Sequence, residues 1–415
     1  MGQTIGILVL LIGLIFSVAI HEFGHLLPAK YFGAGVPEYA VGFGPTIWKR
    51  KIGTTTYHLK AILLGGYVRI LGMLRPTPVN DRIVPEAANE AESGEQTAPK
   101  NAVEEARAES AKEIQAHPDL RPFYTLSWWQ KVIVMAGGPI TNLVLAVIFT
   151  VLSMGAIGML KPIPVVSEVV ACDTPATACG ASQAGIKPGD KILSVDGKTV
   201  SSWQNLVDQI SAQPEGQELK VEVDRAGEHL SMSVPVKVKD GRSMIGIAPE
   251  IQRQRATAAE MSTMVSDQFT GTAKLIIRLP QTLWHRAGQI FGYYEQEKEV
   301  PVSVLGVVQM GAAVGGNQNP LVGPLDKLAA YLSILAALNM ALFVFNLIPL
   351  LPLDGGHIVG ALFEGARKAK RKLWGQNDLG AADVARLIPL SYGVMGILLL
   401  MTVILFVADI VAPVV

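Results

Sequence analysis

The chain has 415 residues, half of them hydrophobic and only 17% charged, with a mean hydropathy of +0.35, a balance too apolar for an ordinary soluble protein and suited to a membrane protein carrying soluble parts. Basic and acidic residues number 35 each, so no net charge supports nucleic-acid binding or an acidic interaction tail. The two cysteines, Cys172 and Cys179, have no second Cys/His pair at zinc-finger spacing, which leaves free thiols or one short-loop disulfide.

The first apolar run, Thr4 to about Leu27, is long enough to cross a hydrocarbon core as a helix. Met1 to Gly6 carries no Lys or Arg and no small-residue cleavage pattern precedes His21, so the run is read as a retained span and not as a signal peptide. On it sits His21-Glu22-Phe23-Gly24-His25. Helical residues four apart stack on one face, so His21 and His25 converge on one point while Glu22 is turned aside. Two imidazoles placed in this way are a zinc-ligand pair, and Glu22 is then free to take a proton from metal-bound water. Solvated or capping histidines are the blander reading, and the cost of keeping ionisable groups at membrane depth argues against it.

Residues 30–75 include Lys30, Lys49, Arg50, Lys51, Lys60 and Arg69, which by the positive-inside rule places this loop in the cytoplasm and the N-terminus outside. From Glu38 to Ile70, β-branched and aromatic residues punctuated by Gly42-Phe43-Gly44-Pro45 and Gly65-Gly66 predict short hairpins. Residues 80–120 are rich in Glu, Ala, Ser and Pro and predict a disordered acidic insertion with at most one short surface helix near Ala102–Ala116. Trp128 and Trp129 mark a membrane interface, and Val132 to Leu160 is the second span. Its Gly137-Gly138-Pro139 permits close helix approach. Asn142 needs a partner at this depth, and an interhelical contact and a place beside an active site are equally open.

From Ile163 to about Pro249 the hydropathy is that of a soluble domain. Strands are predicted at Val165–Val170, Lys191–Val195, Lys220–Asp224 and Leu230–Val236, with a helix at Trp203–Ile210. By parity of spans this domain is extracytoplasmic, an oxidising setting that favours a Cys172–Cys179 disulfide. Met261 to Ile290 predicts amphipathic helices on the membrane surface with Trp284 at the interface, and Gly311–Pro324 a glycine-rich loop.

A third span, Leu328 to Leu347, ends in Asn346-Leu347-Ile348-Pro349-Leu350-Leu351-Pro352-Leu353-Asp354-Gly355-Gly356, where prolines and glycines break the helix. A lone aspartate there needs a cation. Arg367, Lys368, Lys370, Arg371 and Lys372 form a second basic loop, and Ile388 to about Val411 is the fourth span. With the N-terminus outside, the first and third spans both reach the cytoplasmic leaflet at their C-terminal ends, which brings Asp354 to His21 and His25. Both basic loops fall on that side. Three protein ligands suffice for a catalytic zinc, so His357 is left out of the set; His58, His117, His229 and His285 are read as surface or packing residues.

Within residues 161–250, the stretch Ala184-Gly185-Ile186-Lys187-Pro188-Gly189-Asp190 through Val195-Asp196-Gly197 resembles the core of bacterial PDZ domains, which bind extended peptides at a sheet edge. Taken with His21–His25 and Leu353-Asp354-Gly355 in its Asn-x-x-Pro setting, the chain resembles the site-2 protease family of intramembrane zinc metalloproteases, in particular the bacterial branch that cleaves anti-sigma factors. The resemblance implies an α-helical membrane fold of four transmembrane helices with a membrane-associated β-hairpin region and an inserted extracytoplasmic PDZ domain of α+β class. It implies Zn2+ held by His21, His25 and Asp354, Glu22 as base, and Asn346 and Pro349 as substrate-holding residues. The implied partners are the lipid bilayer, a single-span membrane protein substrate of anti-sigma type already trimmed outside, and a peptide for the PDZ domain, acting as docking site or size filter. The implied location is the bacterial plasma membrane, with both termini and the PDZ domain outside.

The predicted organisation is a first helix with the β region at 1–79, the insertion at 80–120, the second helix at 121–160, the PDZ domain at 161–250, a membrane-surface region at 251–325, and the last two helices at 326–415. Two rival readings are a non-catalytic scaffold holding peptides through its PDZ domain, and a transporter, which four spans without an internal repeat support poorly.

Overall fold

Residues from Gly2 to Tyr31 form one helix, α1, of 30 residues, longer at helical rise than a hydrocarbon core is thick. Ile5, Leu8, Ile12 and Phe16 are exposed along it, as expected of a helix that meets lipid. It is one of four helices among the described residues that are long and apolar enough to cross a membrane, with Trp128–Ile157, Pro324–Asn346 and Val384–Val411. The structure, a computed structural model, describes residues 1–76, 102–171, 179–239, 241–294, 303–377 and 380–411. The chain divides into two compact units, Met1–Gly155 with Thr257–Val415, and Ala156–Ala256.

After α1, β1 (Glu38–Ile52) and β2 (Thr55–Arg69) pair antiparallel as one long hairpin, where the sequence suggests several short ones. The glycines that look like turn signals are used differently: Gly42, Gly44 and Gly65 have φ of 89°, 79° and 109° and sit where the register shifts, so they absorb bulges without ending strands. Tyr39 Oη donates to the Ala19 carbonyl at 2.7 Å and ties the hairpin to α1. Of the predicted insertion at 80–120, residues 80–101 lie outside the described residues. Its later part is a docked helix, α2 (Ala102–Ala116): Ser110 is buried and donates to the Leu74 carbonyl, and Arg107 pairs with Asp383 at 2.6 Å. The helix α3 (Trp128–Thr150) opens where the Gln130 side chain accepts from the Ser127 N–H, and it runs on through a π-helical turn to Ile157, three residues short of the predicted end.

The second unit contains β3 (Met159–Val169), α4 (Gly180–Ala184), β4 (Lys191–Val195), β5 (Lys198–Thr199), α5 (Trp203–Ser211), β6 (Glu218–Arg225), β7 (Glu228–Pro235), β8 (Lys237–Lys239), β9 (Arg242–Met244) and β10 (Ile247–Gln254). The main sheet runs β10-β3-β4-β6-β7, antiparallel throughout. Period-two alternation puts Leu219, Val221 and Val223 of β6 in the core with Ile192, and α5 closes it with Leu206 and Ile210. Ser202 caps α5 by accepting from the Asn205 N–H. Cys179 is buried and is not a free thiol, while Cys172 lies outside the described residues.

Asp190 is buried and its carboxylate is gripped by Arg225 through two bonds of 2.7 Å, with the Lys187 N–H donating at 2.9 Å. The Arg225 hydrogen bonds hold this carboxyl below the usual range. The unfolded chain protonates it at about pH 3.9, the folded one only at lower pH, so the pair's contribution is complete above that value, declines below it and is gone once pH passes below the folded-state pKa. Arg225→Leu is therefore expected to lower the urea midpoint of an excised 156–256 fragment at pH 7, and the gap to wild type is expected to shrink below about pH 4. A gap that stays constant to pH 3 would remove Asp190 from the account.

The first unit resumes with α6 (Ala258–Ile277), α7 (Leu279–Ile290), α8 (Val304–Gly316), α9 (Pro324–Asn346), α10 (Asp354–Leu373) and α11 (Ile388–Val411). The predicted surface helices at 261–290 are present, but α6 packs on α9, with Phe269 against Phe343 and Val265 against the Ala146, Met340 and Val344 cluster. In α7, Arg286 is buried and pairs at 2.7 Å with the buried Asp409 of α11, whose other oxygen accepts from the Ser303 N–H. The predicted glycine-rich loop at 311–324 is corrected over its first part. Residues 304–316 are helical, and Gly311 and Gly315 lie against Gly6 and Gly2 of α1 with no room for a Cβ. Glycines spaced four apart mark a helix face that meets another backbone, and not a turn.

Candidate metal centre

Three elements of the first unit meet at one point. The C-terminal half of α1 brings His21, Glu22 and His25; α9 ends at Asn346, and an irregular turn leads to Asp354 at the first position of α10. Gly355 and Gly356 lie against the backbone of 347–351 too closely for any side chain, which folds the turn back on itself. The N-terminal half of α3 passes alongside. Gly24 and Gly137 lie back to back, and a Cβ on Gly138 would run into both imidazoles. Thr141 Oγ1 donates to the Gly138 and Ile20 carbonyls at 2.7 and 3.2 Å, fastening α3 to α1. The ends of α1 and α9 therefore coincide, so these helices run parallel and α3 runs against them.

His21, His25 and Asp354 form the group of described residues able to hold a metal ion. The Nε2 atoms of the two histidines are 3.3 Å apart, and each is 3.4 Å from Oδ2 of Asp354. Nδ1 of His25 lies 2.8 Å from the Val134 carbonyl, which only accepts, so that nitrogen carries the proton and Nε2 presents a lone pair. Oδ2 of Asp354 is buried without a hydrogen-bond donor. Two acceptors this close, Nε2 of His25 and Oδ2 of Asp354 at 3.4 Å, repel unless a cation or a donated proton sits between them. Their spacing fits zinc, since vertices of a tetrahedron about 2.0–2.1 Å from its centre are about 3.3–3.4 Å apart. His25 is only 4% exposed, so this polar cluster is largely out of water.

A cavity of about 240 Å³ opens onto the group, lined by His21, Glu22, His25, Tyr67, Asn346 and Asp354 among others. Glu22 is beside the ligand group and outside it, one residue round the helix from His21. Gly66 of β2 lies against its side chain: a Cβ there would come within 3.2 Å of Glu22 Cγ and 2.9 Å of the Ala40 carbonyl. Of the residues expected to hold substrate, Asn346 lines this cavity and Pro349 does not, sitting in the turn beyond it. His357 faces elsewhere, into a separate small cavity with Lys131 and Glu364, which pair at 2.7 Å. Asn142, left open by the sequence, is fully buried with its amide nitrogen 3.0 Å from Nδ1 of His21. Gly138, Val134 and Tyr67 are parts of the site that sequence reasoning did not single out; the only signal was Gly137-Gly138-Pro139 one helical turn before Asn142.

Residues 9–381 match the profile of peptidase family M50. The zinc metalloprotease Rip1 of Mycolicibacterium smegmatis is 28% identical to the chain, the alignment covering 99% of it and 98% of the relative. Rip1 of Mycobacterium tuberculosis H37Rv is 26% identical over 99% of this chain and 98% of its own. The zinc metalloprotease RasP of Geobacillus kaustophilus is 26% identical over 84% of this chain and 87% of its own.

Proposed function

Because the chain belongs to peptidase family M50 and is a zinc metalloprotease of the site-2 protease kind, we propose that it hydrolyses a peptide bond within the transmembrane segment of a single-span membrane protein. In this reading His21, His25 and Asp354 hold the zinc and Glu22 is the base. The observation that carries it is the 3.3–3.4 Å spacing of three ligand atoms, two from the C-terminal half of α1 and one from the first residue of α10. Zinc held there supplies a Lewis acid that brings the pKa of water to about 7 and polarises a carbonyl. Glu22 takes a proton from the attacking water and delivers it to the departing amide nitrogen. Asn346 holds the substrate backbone from the cavity wall, and Pro349 helps from the turn that follows.

A helical substrate hides its peptide bonds in its own hydrogen-bond ladder, so the substrate enters extended. The β1–β2 hairpin, whose strand passes Glu22, offers an edge for pairing with it. Lys49, Arg50 and Lys51 of β1 and the basic residues of α10 belong to the loops that follow the ends of α1 and α9. The positive-inside rule therefore sets the active site toward the cytoplasmic leaflet of a multi-pass protein and both termini and the second unit outside. The second unit acts as a PDZ domain: beside edge strand β10 lies an apolar cavity of about 440 Å³ lined by Val170, Trp203, Leu206, Ile210, Ile245 and Ile247, suited to an extended peptide. The substrate class is an anti-sigma factor already trimmed outside.

In nanodiscs with a tagged single-span substrate lacking its outer domain, the wild-type protein is expected to carry one zinc per chain and to cut within the span. A chelator is expected to abolish cleavage, and zinc to restore it. Undiminished cleavage after complete zinc removal would overturn the assignment, and cuts confined to the soluble flank would move the reaction out of the membrane.

A further inference from the structure

We propose that Asn142 is a positioning residue of the metal centre, its amide oxygen accepting a hydrogen bond from Nδ1–H of His21 and so leaving Nε2 of that ring to bind the metal. The inference rests on the reading of His21, His25 and Asp354 as ligands. Asn142 is 0% exposed; its amide nitrogen lies 3.0 Å from Nδ1 of His21, and among the described residues its amide oxygen has no partner. Two arrangements fit that contact, because the oxygen and nitrogen of an amide exchange places on a half-turn about its last torsion. If the amide nitrogen donates, Nδ1 of His21 is the acceptor and the ring proton sits on Nε2. That proton would then point at Nε2 of His25 and Oδ2 of Asp354, 3.3 and 3.4 Å away, and no metal could bind. If the oxygen faces the ring, Nδ1 carries the proton and Nε2 presents a lone pair to the same point.

A metal-holding centre needs the second arrangement, and His25 is already in the matching tautomer. Its Nδ1 faces the Val134 carbonyl at 2.8 Å, a group that only accepts, so its Nε2 lone pair is fixed. A centre in which one imidazole is committed to metal needs the other in the same tautomer. The two supports come from one helix, Val134 and Asn142 lying two turns apart on α3, and Gly138 midway between them leaves room for the rings. One face of α3 thus orients both ligands of α1.

The test is zinc affinity by chelator competition on full-length protein in detergent, which reads the centre without turnover. Wild type is expected to bind one zinc and His21→Ala to lose it; binding by His21→Ala as tight as wild type would overturn the ligand reading itself. Asn142→Leu, of similar volume and unable to accept, is expected to bind zinc about 10–100-fold more weakly. Asn142→Asp, whose carboxylate can only accept from Nδ1–H, is expected to stay within about threefold of wild type, a rescue that a mere packing role for this side chain does not predict. Wild-type affinity in Asn142→Leu, or a loss of tenfold or more in Asn142→Asp, would overturn the inference while leaving the ligand reading in place. Should Asn142→Leu fail to fold, the Asn142→Asp arm decides alone.

Discussion

Glu22→Gln is expected to retain one zinc per chain while cleaving a membrane-span substrate about 10²–10⁴-fold more slowly than wild type. The two halves of that result have separate causes. Glutamine keeps the size and the hydrogen-bonding reach of glutamate but cannot accept a proton, so the attacking water and the leaving nitrogen lose their relay. Zinc is retained because the acceptor atoms that surround it come from His21, His25 and Asp354, while Glu22 is one residue further round α1 and only borders the cavity. Packing is unchanged because Gly66 leaves space for either side chain. Metal analysis and a cleavage time course on the same preparation separate the possibilities. Cleavage at the wild-type rate would remove Glu22 from the chemistry, and joint loss of zinc and activity would recast it as a ligand.

How much of this site is legible in the sequence follows from how far apart its parts lie. His21, Glu22 and His25 are legible because helical spacing is local and an i, i+4 pair has one geometry. Asp354 lies more than 300 residues away, yet the order and polarity of the apolar runs bring it to the same end of the bundle, since parallel spans end together. Asn142 is not legible to the same depth. Its partner depends on the rotation of α3 about its own axis, and hydropathy says nothing about rotation in a helix that is apolar on most faces. The same blindness hides the role of Gly138. Over 311–316 the sequence misleads in the opposite direction, because glycine is both a turn former and the residue that lets two helices touch; the four-residue spacing of Gly311 and Gly315, matched by Gly2 and Gly6, distinguishes the two. In the second unit, period-two alternation marks β4, β6 and β7 to within two residues and a helical period marks α5, while the expected strand Val165–Val170 covers only the end of β3 and β10 goes unmarked. The β1–β2 hairpin reads in the sequence as several shorter ones because bulge glycines imitate turn glycines.

Gly138→Ala is expected to weaken zinc binding by at least about 100-fold, the upper end for a disturbed outer shell, and to lower cleavage with it. A single methyl group has that effect because of where it falls. A Cβ on Gly138 would lie 2.7 Å from Cε1 of His21 and 2.8 Å from Cδ2 of His25, and closer still to Nε2 of His25, the atom that faces the metal. The rings have little freedom to yield: His25 is buried and held by the Val134 carbonyl, and α3 cannot back away because Thr141 is bonded to Ile20 and Gly137 is pressed against Gly24. Alanine is otherwise the better helix former, so on propensity alone the change should stabilise α3 by about 0.5–1 kcal/mol. Gly271→Ala in α6 separates the two effects, because a Cβ there meets nothing within 4 Å and should leave zinc affinity unchanged. Wild-type zinc affinity in Gly138→Ala would mean that the imidazoles do not occupy the face of α3 described above, and the metal centre would have to be rebuilt without that helix.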